Sequence, residues 1–335
     1  LARHYSVLGM LMLLGGAFEF WKQYNKEIIE RETDDSLPNL GENKKERPLS
    51  LPYSLKARIL IHSYLTRIPL DNEGLECDQR YVLARVLRLI EEMISISQQL
   101  SFYTQTKVPI ETLDNLLRLQ PMFVQALWPK NSPLLQLPHI TDHNLPYLRK
   151  GRVFSCGDLA AMDGEKRRNV LKSLSDEEYR NVLVVLSSMP RLSIQTAVVV
   201  EGEDDDHEIT AGCVVTIKVT LTRTSLLDPI VSKPKLQVDF DAKSHKTHLV
   251  HCPYFPSEKY EWWWLVMTMW DKKQRRLVCP TVACKTLVDE QTVEMRFSAP
   301  PVKGTYNFQL SVRSDSYMDC DYNKDIKVRF FVIQQ

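Results

Sequence analysis

Glu261-Trp262-Trp263-Trp264-Leu265 sets three of the chain's six tryptophans side by side. On a strand, neighbouring side chains point to opposite faces. Trp262 and Trp264 would then share one face and Trp263 the other, so the strand is covered on both sides. Two readings stand: a central strand buried by its own domain, as large aromatics usually are, and a strand with one face against a partner. The surrounding residues, 191–335, alternate in the same way. Val215, Ile217, Val219 and Leu221 interleave with Thr216, Lys218, Thr220 and Thr222. Leu236, Val238 and Phe240 repeat the pattern, as do Val293, Met295 and Phe297, then Tyr306, Phe308, Leu310 and Val312, and finally Ile326, Val328 and Phe330. With 192–200 and 261–270 this predicts seven or eight strands, separated by turn signals at Gly202, Gly212, Pro300-Pro301 and Gly304, the pattern of an immunoglobulin-like sandwich. Tyr306, just after Gly304, is the expected tyrosine corner.

Upstream the period changes from two to 3.6. Leu55, Ile59 and Leu65 mark a helix over 54–68. Val82, Val86, Ile90, Met93 and Leu100 mark another over 79–100. Leu113, Leu116, Leu117, Phe123, Val124 and Leu127 mark a third, kinked or split at Pro121. These stripes predict a helical bundle over 1–135. Asp34–Pro52 is polar, with Pro38, Gly41 and Pro48, and reads as a loop. A small helix-turn-helix-like unit is expected over 136–190, with helices near 156–162, 164–173 and 176–187. Ser155 before Asp158 and Ser175 before Glu178 have capping-box spacing, and Leu174 and Tyr179 stand where a hydrophobic staple would pack. The fold class is therefore α+β and multidomain, with boundaries at 1–135, 136–190 and 191–335.

The composition is that of a globular protein: 25% charged, 44% hydrophobic, net charge +1. The charge is evenly spread, since residues 1–190 hold 24 Lys and Arg against 23 Asp and Glu. That balance argues against a nucleic-acid binder, which carries a basic footprint. The seven cysteines contain no C-x-x-C pair and read as reduced, cytosol-facing thiols. Val7–Phe18 is apolar but only 12 residues long. At about 18 Å as a helix it falls short of a hydrocarbon core of roughly 30 Å. The chain opens on Leu1, which suggests a fragment, with membrane spans possible upstream.

The candidate chemistry is sparse. Glu201, Glu203, Asp204, Asp205, Asp206 and Glu208 offer oxygen ligands but no calcium-loop pattern, so a solvated hairpin tip is expected. His245, His248 and His251 with Cys252 are ligand-capable, but a spacing of three alternates faces of a strand, and a solvated or satisfied set is expected rather than zinc. Arg313-Ser314-Asp315-Ser316-Tyr317 lacks an oriented histidine base and reads as a strand end that turns. There is no phosphate loop. The expectation is a scaffold with no catalytic centre, no cofactor and no metal.

Four segments resemble one family, in its order: Leu51–Ile59 (LPYSLKARI), Ser132–Ile140 (SPLLQLPHI), Tyr254–Leu265 (YFPSEKYEWWWL) and Gly304–Met318 (GTYNFQLSVRSDSYM). The family is the J-domain co-chaperone subunit of the endoplasmic-reticulum Sec translocon, and the resemblance covers essentially the whole chain. It implies a cytosolic helical bundle, a small helical unit and a fibronectin-III-like sandwich that touches cytosolic loops of the channel subunit during post-translational import. SPLLQLPHI also resembles a module of DExH-box spliceosomal RNA helicases, which leaves a regulatory helicase module as the alternative.

The resemblance further implies partners among channel and accessory subunits. BiP would be reached only through the lumenal J domain, whose His-Pro-Asp triplet this chain lacks. The family's membrane spans and acidic tail are expected outside the chain, and the long charged insert of animal members has only a short counterpart at Leu226–Lys235. Because binding hot spots favour aromatic and Arg side chains, the expected docking residues are Trp263, Arg313, Asp315 and Tyr317, on an exposed surface of the sandwich.

Overall fold

The computed structural model describes residues 4–21, 52–104, 108–200, 209–228, 247–271 and 274–331. Among the described residues eight α-helices precede nine strands. The chain divides into two compact units: residues 1–131 with 252–259, and residues 132–251 with 260–335. The expected small helical unit and the strand-bearing region thus share one unit. The chain leaves that unit after His251, contributes Cys252–Lys259 to the first, and returns at Tyr260.

The first unit is built from α1 (Val7–Gly15), α2 (Pro52–Leu65), α3 (Glu73–Tyr103) and α4 (Ile110–Gln125). The apolar stretch at 7–18 forms α1 with Met10, Leu11 and Leu14 buried, and among the described residues no helix is long and apolar enough to cross a membrane. Asn72 caps α3, its side chain accepting from Gly74 N and Leu75 N, which starts this helix six residues before the expected 79. Of the predicted stripe Val82, Val86 and Ile90 are buried, whereas Met93 and Leu100 are half-buried and the core face passes instead through Ile94 and Ser97. Pro121 does not split α4. The helix runs through it and ends at Ala126, a left-handed residue (φ 49°). Pro121 falls in the closing turns, where a lost N–H bond costs least continuity. Arg67 Nε and Nη2 donate to the carbonyls of Ala126 (3.1 Å) and Gln125 (3.0 Å), supplying the cation and the donors that a helix C-terminus lacks. The Arg67 guanidinium also lies 4.2 Å from the ring centre of Tyr254, in the returning segment.

In the second unit, α5 (Leu145–Lys150), α6 (Cys156–Ala161), α7 (Gly164–Val170) and α8 (Asp176–Ser188) precede the strands. Both expected capping boxes are formed. The Phe154 N–H, then the Ser155 side chain and N–H, hold the Asp158 carboxyl below its ordinary value, and Ser175 does the same for Glu178. For each, the folded value lies below the unfolded one. Their stabilisation is therefore complete above the ordinary carboxylate range and is lost as pH falls through the folded values. We expect α6 and α8 to fray at their N-termini below about pH 4, read as faster amide exchange there than at pH 6. Glu178→Gln should remove that dependence from α8, and Ser155→Ala should cost about 1 kcal/mol at neutral pH.

The strands form two sheets. β1 (Pro190–Val200), β3 (Val214–Ser225) and β7 (Glu290–Ser298) make one, in the order β1-β3-β7. β2 (Ile209–Thr210), β9 (Tyr322–Phe331), β8 (Gly304–Ser314), β4 (Trp263–Asp271) and β5 (Gln274–Leu277) make the other, with β6 (Val282–Cys284) also on β4. Pairs are antiparallel except β2 with β9. The predicted alternation holds. Val215, Ile217, Val219 and Leu221 of β3 are fully buried, and Phe297 of one sheet meets Phe308 of the other at 5.1 Å between ring centres. Phe308 in turn packs edge-on against Phe330. Every residue from Trp263 to Thr268 is buried, as befits a strand covered on both faces. Tyr306 donates its hydroxyl to the Val302 carbonyl (3.0 Å), the corner its position predicted. The short β5 and β6 were not anticipated. The strand expected at 236–240, and the acidic run at 201–208, lie outside the described residues.

Candidate functional site: a buried polar knot

The residues expected to form an exposed docking patch lie inside the second unit. Trp263 is 0% exposed, Asp315 1% and Tyr317 2%. The Arg313 side chain is 11% exposed and lies 3.6 Å from Asp321 Oδ2. This corrects the expectation of an exposed surface. The reason is that β4 begins at Trp263, so both of its first two indoles enter the interior. Trp262, just before the strand, is the half-exposed one, with the Lys285 ammonium 3.8 Å from its ring centre.

The buried side chains form a connected polar set. Arg223 of β3 grips Glu261 with two parallel bonds, Nε to Oε1 at 3.1 Å and Nη2 to Oε2 at 3.0 Å. It also donates to the Ser188 carbonyl at 2.7 Å, where α8 ends. Trp263 Nε1 donates to Glu261 Oε1 at 2.9 Å. Both ions are almost wholly buried, at 2% and 1% side-chain exposure. A pair so placed survives only if its geometry is good and its remaining donors are used. Asp315 Oδ1 accepts from the Trp262 N–H at 2.8 Å and from the Ser316 hydroxyl. Ser314 Oγ accepts from Tyr317 N at 3.0 Å, so the strand end does turn as expected. The Tyr317 hydroxyl accepts from His251 N at 3.2 Å, and burial, above all, pushes that phenol above its ordinary value.

The third member of this set comes from the segment after the first unit. The Gln136 side-chain amide donates to the Met318 carbonyl and accepts from the Met318 N–H, both at 3.0 Å, as a strand neighbour would. It also donates to Cys156 Sγ at 3.6 Å. Burial pushes the Cys156 thiol up to about 12, and a thiol so protonated is a poor nucleophile. Three of the four signature segments, at 132–140, 254–265 and 304–318, thus supply Gln136, Glu261 and Trp263, and Asp315 and Tyr317 to one interior. Arg223, Glu261 and Gln136 were missed by the sequence reading.

The carboxylates of Glu261 and Asp315 accept from N–H and O–H donors. His248 is satisfied, Nε2 lying 2.9 Å from the Val288 carbonyl, and burial lowers the His251 imidazole below its ordinary value. His245 lies outside the described residues. Among the described residues no three His, Cys, Asp or Glu side chains gather as a metal site.

Comparison with known proteins bears on the same segments. The family model described as the Sec63 Brl domain matches residues 31–327. The chain is 26% identical to the "Translocation protein SEC63 homolog" of mouse and of human, over 97% of this chain and 63% of each relative. It therefore spans somewhat under two thirds of those relatives' length. It is also 26% identical to the human "U5 small nuclear ribonucleoprotein 200 kDa helicase", over 96% of this chain but 13% of that protein. The first alignments run over 479 positions against a chain of 335 residues, so more than 140 positions of those relatives face gaps here. The helicase alignment runs over 329. With the family model matched over residues 31–327, most of the chain, this chain belongs to the Sec63 Brl domain family.

Proposed function

We propose that this chain is the non-catalytic cytosolic scaffold region of a Sec translocon accessory subunit. It would dock on the protein-conducting channel during post-translational import into the endoplasmic reticulum, held at the membrane by spans outside this chain. The observation that carries this reading is coverage: the chain is most of the length of the translocation proteins and a small part of the helicases. The strand-bearing region is, in this reading, a fibronectin-III-like sandwich, and the strand order and the Tyr306 corner support it. Trp263, Asp315 and Tyr317 act indirectly, by fixing the loops around them. Direct contact falls to exposed side chains of the same unit. Trp270, 56% exposed and paired in register with Arg275, has the chemistry of a hot spot.

The test is co-purification of the chain with detergent-solubilised Sec channel, with labelled RNA as a parallel bait. The channel should be retained, the RNA should not, and Trp270→Ser should lower channel retention without changing the melting temperature. The second reading, a helicase module, draws on the equal identity to the spliceosomal proteins, and RNA retention that fades with salt and no channel binding would select it.

A further inference from the structure

The stretch from Tyr147 to Phe154 closes α5 and turns away from it. Its apolar residues anchor the turn. Leu148 is 0% exposed and Val153 1%, and the Val153 N–H reaches back to the Leu148 carbonyl at 2.9 Å. The other residues face solvent: Tyr147, Arg149, Lys150, Arg152 and Phe154 are all exposed, the two rings at 55% and 61%. The segment after α7 lies against the same helix. Asn144, at the start of α5, donates to Ser173 Oγ at 3.1 Å, and a Cβ on Gly151, at its end, would stand 2.8 Å from Val170 Cγ1. Exposed Lys172 falls between those two contacts in the chain.

Four cations thus gather around one short helix, and among the described residues none of them holds an ion pair or a side-chain hydrogen bond. The nearby Asp158 carboxylate is committed to the N–H groups of Phe154 and Ser155. Cations at a helix C-terminus answer its dipole, but α5 is only six residues long and Arg152 lies beyond its cap, Gly151. The dipole also leaves two exposed rings unexplained. Arg152 adopts φ 59°, a left-handed conformation that falls to Gly or Asn at most helix ends and strains other residues. A cation is kept where the backbone favours glycine.

We propose that this face, Tyr147 to Phe154 with Lys172, rests on an anionic lipid bilayer. The inference depends on the reading above of a chain held at a membrane. Cations with no partner in the fold are drawn to acidic headgroups, and the rings on either side of them suit the interface, an amphipathic Tyr at headgroup level and a Phe that enters the acyl boundary. A nucleic-acid strand asks for a groove that tracks its backbone, whereas five exposed residues in this eight-residue turn make it a prominence.

The test sediments the whole chain with vesicles of phosphatidylcholine doped with phosphatidylserine, beside vesicles of phosphatidylcholine alone and labelled single-stranded RNA. The anionic vesicles should retain the chain, less so as salt rises, and the neutral ones should not. Arg152→Gly should lower retention about fivefold, one cation's share, with a melting temperature unchanged or higher because glycine relieves the left-handed strain. Phe154→Ser should lower retention even at raised salt, where the cations are screened. Equal retention on both vesicle types, no retention on either, or an Arg152→Gly variant that binds as the parent does would overturn the proposal. RNA retention without vesicle retention would overturn it too and give the cations to nucleic acid. A chain that binds the detergent-solubilised channel but no vesicle would sink this inference alone. Binding to anionic vesicles without binding to the channel would support this face and count against the channel reading.

Discussion

Glu261→Ala is expected to destabilise the second unit by about 3–5 kcal/mol, because it strands a buried guanidinium. Arg223 would keep only the Ser188 carbonyl as a neutral acceptor, and Trp263 Nε1 would lose its partner. Urea unfolding followed by indole fluorescence measures this directly. The informative control is the pair Arg223→Met with Glu261→Leu. Removing both charges together should recover most of the loss, since a buried ion pair compares poorly with apolar side chains of similar volume. If the single variant cost less than about 1 kcal/mol, the pair would have to be wet in solution, because surface pairs are worth that little. A double variant as unstable as the single one would show instead that the pair's geometry positions β3 against the end of α8.

Trp263→Ala is expected to cost a similar amount, about 3–5 kcal/mol, as transfer energy and cavity together. Trp263 is among the largest fully buried side chains and sits 6.4 Å from the Tyr322 ring. Trp263→Phe should cost markedly less, since it keeps most of the volume and deletes one bond to a carboxylate that Arg223 still holds. Read in a binding assay alone, Trp263→Ala would imitate a docking defect. Comparing it with Trp270→Ser at matched folded fraction separates a lost fold from a lost contact.

What was legible in the sequence was local. Ser155 with Asp158 and Ser175 with Glu178 are three residues apart, so spacing alone announces the caps. The β3 alternation is equally plain, because one face of a sheet repeats every second residue. The knot was not legible, because its bonds join distant residues. Arg223 and Glu261 are 38 apart in sequence, and Gln136 and Met318 are 182 apart. EWWWL was correctly read as buried on both faces, but the docking surface was sought in the same aromatic residues. Chemical type suggests a hot spot, whereas only packing says whether the side chain reaches solvent. β4 begins at Trp263, two residues after the expected 261, and Trp262, just before it, is the half-exposed indole.

The return of Cys252–Lys259 to the helical unit has a genetic meaning. That unit is not one contiguous stretch of coding sequence. A recombination or truncation point anywhere between residues 131 and 252 separates it from its own closing segment, with Tyr254 and its Arg67 contact. A cut there would divide both units' residues unevenly with respect to the fold, and the family model, matched over 31–327, takes in parts of both.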